Sequence, residues 1–233
     1  MKIAAISDMH GILDLKIDKS NILCICGDIF PLKIQRNTFL CEQWFKDVFL
    51  SWCNEQPVDE IYLIAGNHDF FLSQTKPYGV KELCKGTNVT YLEDNETKYL
   101  DIDSGKEYSI YGTPWCHQFG YWAFMGYSDE RLEEIYKKMP DNVDILLTHD
   151  APYGYSDKLD PKQLEEQGRI DPGHIGGIGL TNAIKERKPK YNFHGHLHST
   201  NHDVEMLDDT KIYNVSYVNE HYKPAYKPLY LEI

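Results

Sequence analysis

The chain has 233 residues, 42% of them hydrophobic and 13% aromatic, enough for a substantial core in one large domain or, by length alone, two. A formal net charge of −12 disfavours broad electrostatic binding of duplex nucleic acid, but it does not exclude a small anion at a locally cationic spot. No stretch approaches the roughly 20 apolar residues of a membrane span, and no linker, low-complexity tract or repeat divides the chain, so a single domain over 1–233 is expected.

The first strand is expected at 2–7, where Ile3-Ala4-Ala5-Ile6 leads directly into Asp8-x-His10. A second, at 21–26, carries Ile22-Leu23-Cys24-Ile25-Cys26 into Gly27-Asp28. Cys24 and Cys26 share one face of that strand and read as small packed hydrophobes. The six cysteines form no Cys-x-x-Cys pair and no cleavable leader is apparent, so a reduced, cytoplasmic protein is expected.

From Asn37 to Asn54, the residues Phe39, Leu40, Trp44, Phe45, Val48, Phe49 and Trp52 predict one helix with a broad apolar face, stopped before Pro57. A strand at 60–65 then runs into Gly66-Asn67-His68-Asp69. Further strands are expected at 88–93, 107–112 and 143–148, the last ending at His149. Between them Ser128 is placed to cap a helix over Asp129–Met139, with Pro140 as its stop. The long stretch from Asp150 to Gly179, rich in Gly, Pro and Asp, holds one short helix around Pro161 to Gln167; it either walls a cleft or is a plain surface excursion. A helix from Gly177 or Ile178 to Lys188, ended by Pro189, precedes strands at 191–194, 211–218 and 228–233, the first of which leads to Gly195-His196-x-His198. Strands and helices interleave early and strands dominate late, which predicts mixed sheets flanked by helices.

Five polar motifs thus follow five apolar runs, and ligand sites in layered α/β folds gather outside the carboxyl ends of strands. Carboxylate oxygens and imidazole nitrogens together suit borderline divalent ions such as Mn, Fe, Co or Zn, and the absence of cysteine from the set argues against a structural zinc site. Asp28 is the natural bridge, because one carboxylate can give an oxygen to each of two ions. Asn67 adds a neutral oxygen.

Asp8-x-His10, Gly27-Asp28, Gly66-Asn67-His68-Asp69, His149 and Gly195-His196-x-His198 together resemble the full signature of calcineurin-like metallophosphoesterases. Gly112-Thr113-Pro114-Trp115, Trp122-Ala123-Phe124, Leu147-Thr148-His149-Asp150-Ala151-Pro152 and Asn214-Val215-Ser216 resemble the small metallophosphodiesterase branch. The resemblance implies an αββα sandwich of two mixed sheets with a di-metal site at the strand ends. It assigns Asp8, His10 and His198 to one ion, Asp28 to the bridge, and Asn67, His149 and His196 to the other. It makes His68 the group that contacts phosphate and serves as general acid or charge stabiliser, with Asp69 aiming its ring. The substrate contacts it implies are Asn67, His68 and, from its place after Pro114-Trp115-Cys116, His117. The cofactors implied are two divalent ions, manganese first and Fe, Zn, Co or Ni as alternatives. The substrate implied is a small anionic phosphoester, a phosphodiester or cyclic nucleotide, cleaved by a hydroxide shared between the ions.

Two departures stand out. No arginine follows Gly27-Asp28-Ile29-Phe30-Pro31, and Asp69 stands where protein phosphatases carry glutamate, which disfavours that branch. Asp150 occupies a position where the diesterase branch often has glycine; it either tunes the metals or hydrogen-bonds a loop. His194 is expected to pack behind the site rather than ligate. The aromatics from Trp115 to Tyr127 either stack a nucleobase or fill core. The rivals to the diesterase are a nuclease or phosphomonoesterase with the same metals and a catalytically silent scaffold.

Overall fold

Odd and even residues of the first strand, β1 (Lys2–Ile6), enter different cores. Ile3 and Ala5 face one apolar layer and Ala4 and Ile6 another, so this strand is buried on both sides, which is why it reads as a continuous apolar run. In the computed structural model, which describes residues 1–159, 161–166, 168, 170 and 173–233, the same alternation continues along β2 (Ser20–Cys26). Next come α1 (Thr38–Trp44), a π-helical turn (Phe45–Phe49) and α2 (Leu50–Glu55). They are followed by β3 (Val58–Ile64), α3 (Phe70–Leu83), β4 (Val89–Tyr91), β5 (Asn95–Asp101) and β6 (Lys106–Thr113). A two-stranded ribbon, β7 (Cys116–His117) and β8 (Met125–Gly126), precedes α4 (Asp129–Tyr136) and β9 (Ile145–Thr148). The chain ends with α5 (Pro161–Glu166), α6 (Ile178–Arg187), β10 (Tyr191–His194), β11 (Glu205–Leu207), β12 (Thr210–Asn214) and β13 (Leu229–Glu232).

The first sheet has the order β13-β1-β2-β3-β4, parallel except for β13 against β1. The second has the order β11-β12-β10-β9-β6-β5, parallel in its middle and antiparallel at both edges. Ile22, Cys24, Cys26, Tyr62 and Ile64 of the first sheet meet Ile110, Ile145, Leu147, Phe193 and Tyr213 of the second. The outer face of the first sheet is covered by the α1–α3 region through Phe45, Phe49, Phe71 and Leu72, and that of the second by α4 and α6 through Leu132, Ile135, Leu180 and Ile184. Each such large side chain contributes about 1.5–3 kcal/mol of burial. This is the expected αββα layering.

Three local differences have physical causes. The helix expected as one piece from Asn37 is widened by the π turn. An i+4 series (Cys41, Phe45, Phe49, Cys53) drifts around an ideal α-helix but lines up when one turn is widened. Those residues are buried, whereas Phe39, Leu40 and Val48, counted into the predicted apolar face, are exposed. The apolar pattern does not predict α3: Pro77 disfavours helical backbone at Lys76, which takes φ 68° at a kink, yet Phe71, Leu72 and Val80 still bury. The edge strand β5 is too polar, and the edge strand β11 too short at three residues, to show an apolar run. Ser128 does cap its helix, its hydroxyl accepting from the Arg131 N–H, but regular helix stops at Tyr136. The short helix spans Pro161–Glu166, and Gln167 lies outside the described residues. No helix among the described residues is long and apolar enough to cross a membrane.

Candidate metal centre

Parallel strands place their carboxyl ends on one edge, and here that edge collects all five motifs. The turn after β1 zips to the turn after β2: the Asp8 N–H donates to the Gly27 carbonyl (3.0 Å) and the His10 N–H to the Asp28 carbonyl (2.9 Å). Asp8, His10, Asp28 and His196 all take left-handed φ values between 44° and 70°, a strained conformation that persists where surrounding structure enforces it and that clusters at functional sites. Gly66 and Gly195 are required by close approach. A Cβ at Gly66 would collide with the Asp28 carboxylate and the His149 ring, and one at Gly195 with Ser7 and Asp8.

Two sheets meet at Asp8. Its carboxylate accepts from the Ser216 hydroxyl (2.9 Å) and the His196 N–H (3.0 Å), and Oδ1 lies 3.3 Å from His198 Nε2. One Asp28 oxygen accepts the His68 N–H (2.7 Å). The other lies 3.4 Å from His149 Nε2, 3.8 Å from His10 Nε2 and 3.9 Å from His68 Nε2. Asn67 Oδ1 is 2.9 Å from His149 Nε2. His149 and His198 direct Nδ1 at the carbonyls of Cys26 (2.7 Å) and Asn219 (3.1 Å), which aims Nε2 of each inward. Ligand atoms of Asp8, His10 and His198 lie within 4.8 Å of one another, as do those of Asp8, Asp28 and His149.

The donor set fits divalent ions. Both ring nitrogens of His10 are buried without a hydrogen-bond partner, which is costly unless something else occupies them. Among the described residues no Lys or Arg pairs with the buried Asp8 or Asp28, although two carboxylates share the site. Burial pulls the Asp8 and Asp28 carboxyls up, but the neighbouring imidazoles more than offset it and hold both well below the usual range. Burial lowers His10 and His196 to about 4, so both are neutral and able to ligate at pH 7. His149 goes the other way: burial lowers it, but the Asp28 charge outweighs this and raises it to about 10, so a cation entering there displaces a proton.

The role expected of Asp69 is corrected. Its carboxylate does not reach the His68 ring. It accepts main-chain N–H groups of Gly66 (2.7 Å), Asp28 (2.8 Å), Ile29 (3.0 Å) and Phe30 (3.4 Å), clamping the loops after β2 and β3. A carboxylate one residue after His68 is turned back into its own loop, and the His68 Nδ1 pairs instead with Gln35 Oε1. Burial and the adjacent Asp28 charge push Asp69 up to about 7, opposed by the Gly66 N–H, the His149 charge and the Asp28 N–H. Asp69→Ala would strand the four buried donors and should cost about 3 kcal/mol or more in urea unfolding. Wild-type stability would contradict the clamp.

Asp150 hydrogen-bonds a loop. Its Oδ2 accepts from the His117 N–H (3.0 Å) and lies 2.8 Å from His117 Nδ1, which fixes β7 against the end of β9. His117 is therefore held by Asp150, with its ring partly exposed. His194 is fully buried, its Nδ1 near the Gly195 carbonyl, and stays behind the ligand edge. The aromatic segment divides. Trp115 and Phe124 pack together, Tyr121 and Tyr127 face solvent, Phe119 lies 5.0 Å from the His196 ring, and Trp122 lies 4.4 Å from His68. The motifs give no signal for three neighbours: Gln35; Arg36, whose guanidinium lies over Phe70 and Trp122; and Tyr222, whose ring is 4.9 Å from His10.

Comparison with known proteins matches the geometry. The profile of the calcineurin-like phosphoesterase family covers residues 1–200. Metallophosphoesterase domain-containing protein 1 of Homo sapiens is 26% identical over 255 residues, an alignment spanning 100% of this chain and 71% of that protein; the Mus musculus protein gives the same values. Among solved structures, the phosphopantetheinyl hydrolase of Mycobacterium tuberculosis superposes with a TM-score of 0.54 at 13% identity, covering 95% of this chain and 90% of that one. The TT1561 protein of Thermus thermophilus gives 0.56 at 13%, covering 91% and 88%. At such identities the structural likeness speaks for the fold alone.

Proposed function

This chain belongs to the calcineurin-like phosphoesterase family, and on that premise we propose that it is a metal-dependent hydrolase of small phosphodiesters, cyclic nucleotides among them. The observation that carries the reading is the convergence on Asp28: His149, His10 and His68 each turn Nε2 toward one of its oxygens at 3.4–3.9 Å. Asp8, His10 and His198 would hold one ion, Asn67, His149 and His196 the other, and Asp28 would serve both. Bound divalent ions would neutralise the phosphoryl charge and lower the pKa of water. His68 is the group left to handle the leaving oxygen. Its Nδ1 donates to Gln35 Oε1, so Nε2 faces the centre, where it accepts when the ring is neutral and becomes the proton source once the ring is protonated. Trp122 beside His68 and Phe119 beside His196 give the mouth flat apolar walls, and Arg36 over Trp122 adds positive charge. Such walls suit the aryl or base-bearing half of a diester, and a net charge of −12 disfavours long nucleic acid.

The test is a panel of aryl monoester, aryl diester, cyclic nucleotides and short oligonucleotides on metal-stripped protein refilled with Mn, Fe, Zn, Co or Ni. The diesters should give the highest kcat/KM. Faster monoester or oligonucleotide cleavage would replace the substrate reading, and no turnover with any ion would point to a scaffold.

A further inference from the structure

All six cysteines are free and buried. Cys24 and Cys26 pack between the sheets, and Cys41, Cys53 and Cys84 pack under the helices of the first sheet. Cys116 is different. Its sulfur and one ring nitrogen each of His149 and His196 lie within 4.8 Å of one another. The residue sits on β7, which is held on both sides. The Cys116 N–H donates to the Phe124 carbonyl (2.9 Å), and the Ala123 N–H donates to the Asn67 carbonyl (3.0 Å), so this ribbon is tied to the loop that carries Asn67. The thiol itself reaches the Pro114 carbonyl at 3.9 Å, a weak contact that leaves the sulfur able to turn. In the other half of the centre, the Asp8, His10 and His198 group offers only oxygen and nitrogen.

We propose that Cys116 gives its sulfur to the cation held by His149 and His196, making the two halves of the centre chemically unequal. This rests on the metal-centre reading above. The step balances simply: the S–H bond breaks, a sulfur–metal bond forms, and the proton leaves to solvent. A thiolate ligand favours Zn, Co, Fe or Cd over Mn and Mg, whereas the Asp8 half lacks that bias. The protein would then hold a thiophilic ion beside a less selective one, and loading with manganese alone would fill the His149 half less tightly.

Cobalt(II) titrated into metal-stripped protein tests this by absorbance, without reference to turnover. Visible d–d bands report that cobalt has entered the centre, and a near-ultraviolet sulfur-to-cobalt band reports the thiolate. Wild type should show both; Cys116→Ser and Cys116→Ala should keep the visible bands and lose the near-ultraviolet one, and Cys24→Ser should keep both. In zinc–manganese competition, Cys116→Ser should lose about tenfold or more of the zinc preference at one of the two positions. Visible bands without the sulfur band in wild type would overturn the proposal and leave the metal centre standing. Survival of the sulfur band in both Cys116 variants would overturn it as well. Absence of the visible bands would overturn the metal centre itself. The wild-type spectrum decides even if a Cys116 variant fails to fold.

Discussion

His68→Asn should lower kcat about 10²–10⁴-fold while leaving the bound metal unchanged, because the ring is assigned to proton transfer and charge stabilisation rather than to ligation. Its Nε2 stands 3.9 Å from the Asp28 oxygen that faces the centre, and its Nδ1 is held by Gln35. Burial lowers the ring below the ordinary histidine range and favours its neutral form, so Nε2 must first take up the proton it would give to a leaving oxygen, and then holds it loosely. Gln35 accepts without bringing a charge. Gln35→Ala should therefore cost less than His68→Asn, about tenfold in kcat with KM nearly constant, because it frees the ring without removing it. Activity and metal analysis on the same preparations separate the roles. Loss of metal in His68→Asn would make that ring a ligand, and unchanged turnover would remove it from the chemistry.

Asp28→Asn should have the other large effect. Outer partners of metal ligands already change affinity by about 10–100-fold, so removing a carboxylate proposed to serve both positions should exceed about 100-fold and abolish turnover. Asparagine keeps the shape and the oxygen that accepts the His68 N–H, so folding should survive, as judged by circular dichroism. A second readout does not depend on metal. In the metal-free protein Asp28 is what raises His149 to about 10 against the opposing effect of burial, so the substitution should bring the His149 titration down, visible by NMR. The sign for metal uptake follows. In wild type the raised His149 is protonated at neutral pH, so cation affinity should climb as pH rises from 7 toward 10, and this climb should flatten in Asp28→Asn. Full metal content in the variant would contradict the shared role.

The candidate ligand-bearing strand ends were legible because β1, β2, β9 and the second half of β3 are buried and parallel, each an apolar run ending abruptly in polar residues, whereas β10 shows only Tyr191 and Phe193 before its motif. The sandwich followed from the alternation of those runs and the helices between them. What stayed hidden depends on contacts rather than on pattern. In β5 only Tyr99 and Asp101 are buried, so it has no apolar signature. The π turn shows only once Phe45 and Phe49 are seen packed and Val48 exposed. Asp69 follows His68 directly, which suggests a pair, but the start of α3 turns its carboxylate back onto the amides of Gly66 and Asp28. Gln35 and Tyr222 reach His68 and His10 from distant loops, and nothing in their own sequence neighbourhoods marks them.

The central claim is that one buried carboxylate organises two cations. Crystals of the metal-stripped protein soaked with manganese, with anomalous scattering collected at a wavelength sensitive to that element, test it most directly. The account predicts two peaks per chain, both in bonding contact with Asp28, one also touching Asp8, His10 and His198 and the other touching Asn67, His149 and His196. A single peak at saturating manganese, or peaks away from Asp28 with His10 still unpartnered, would contradict it.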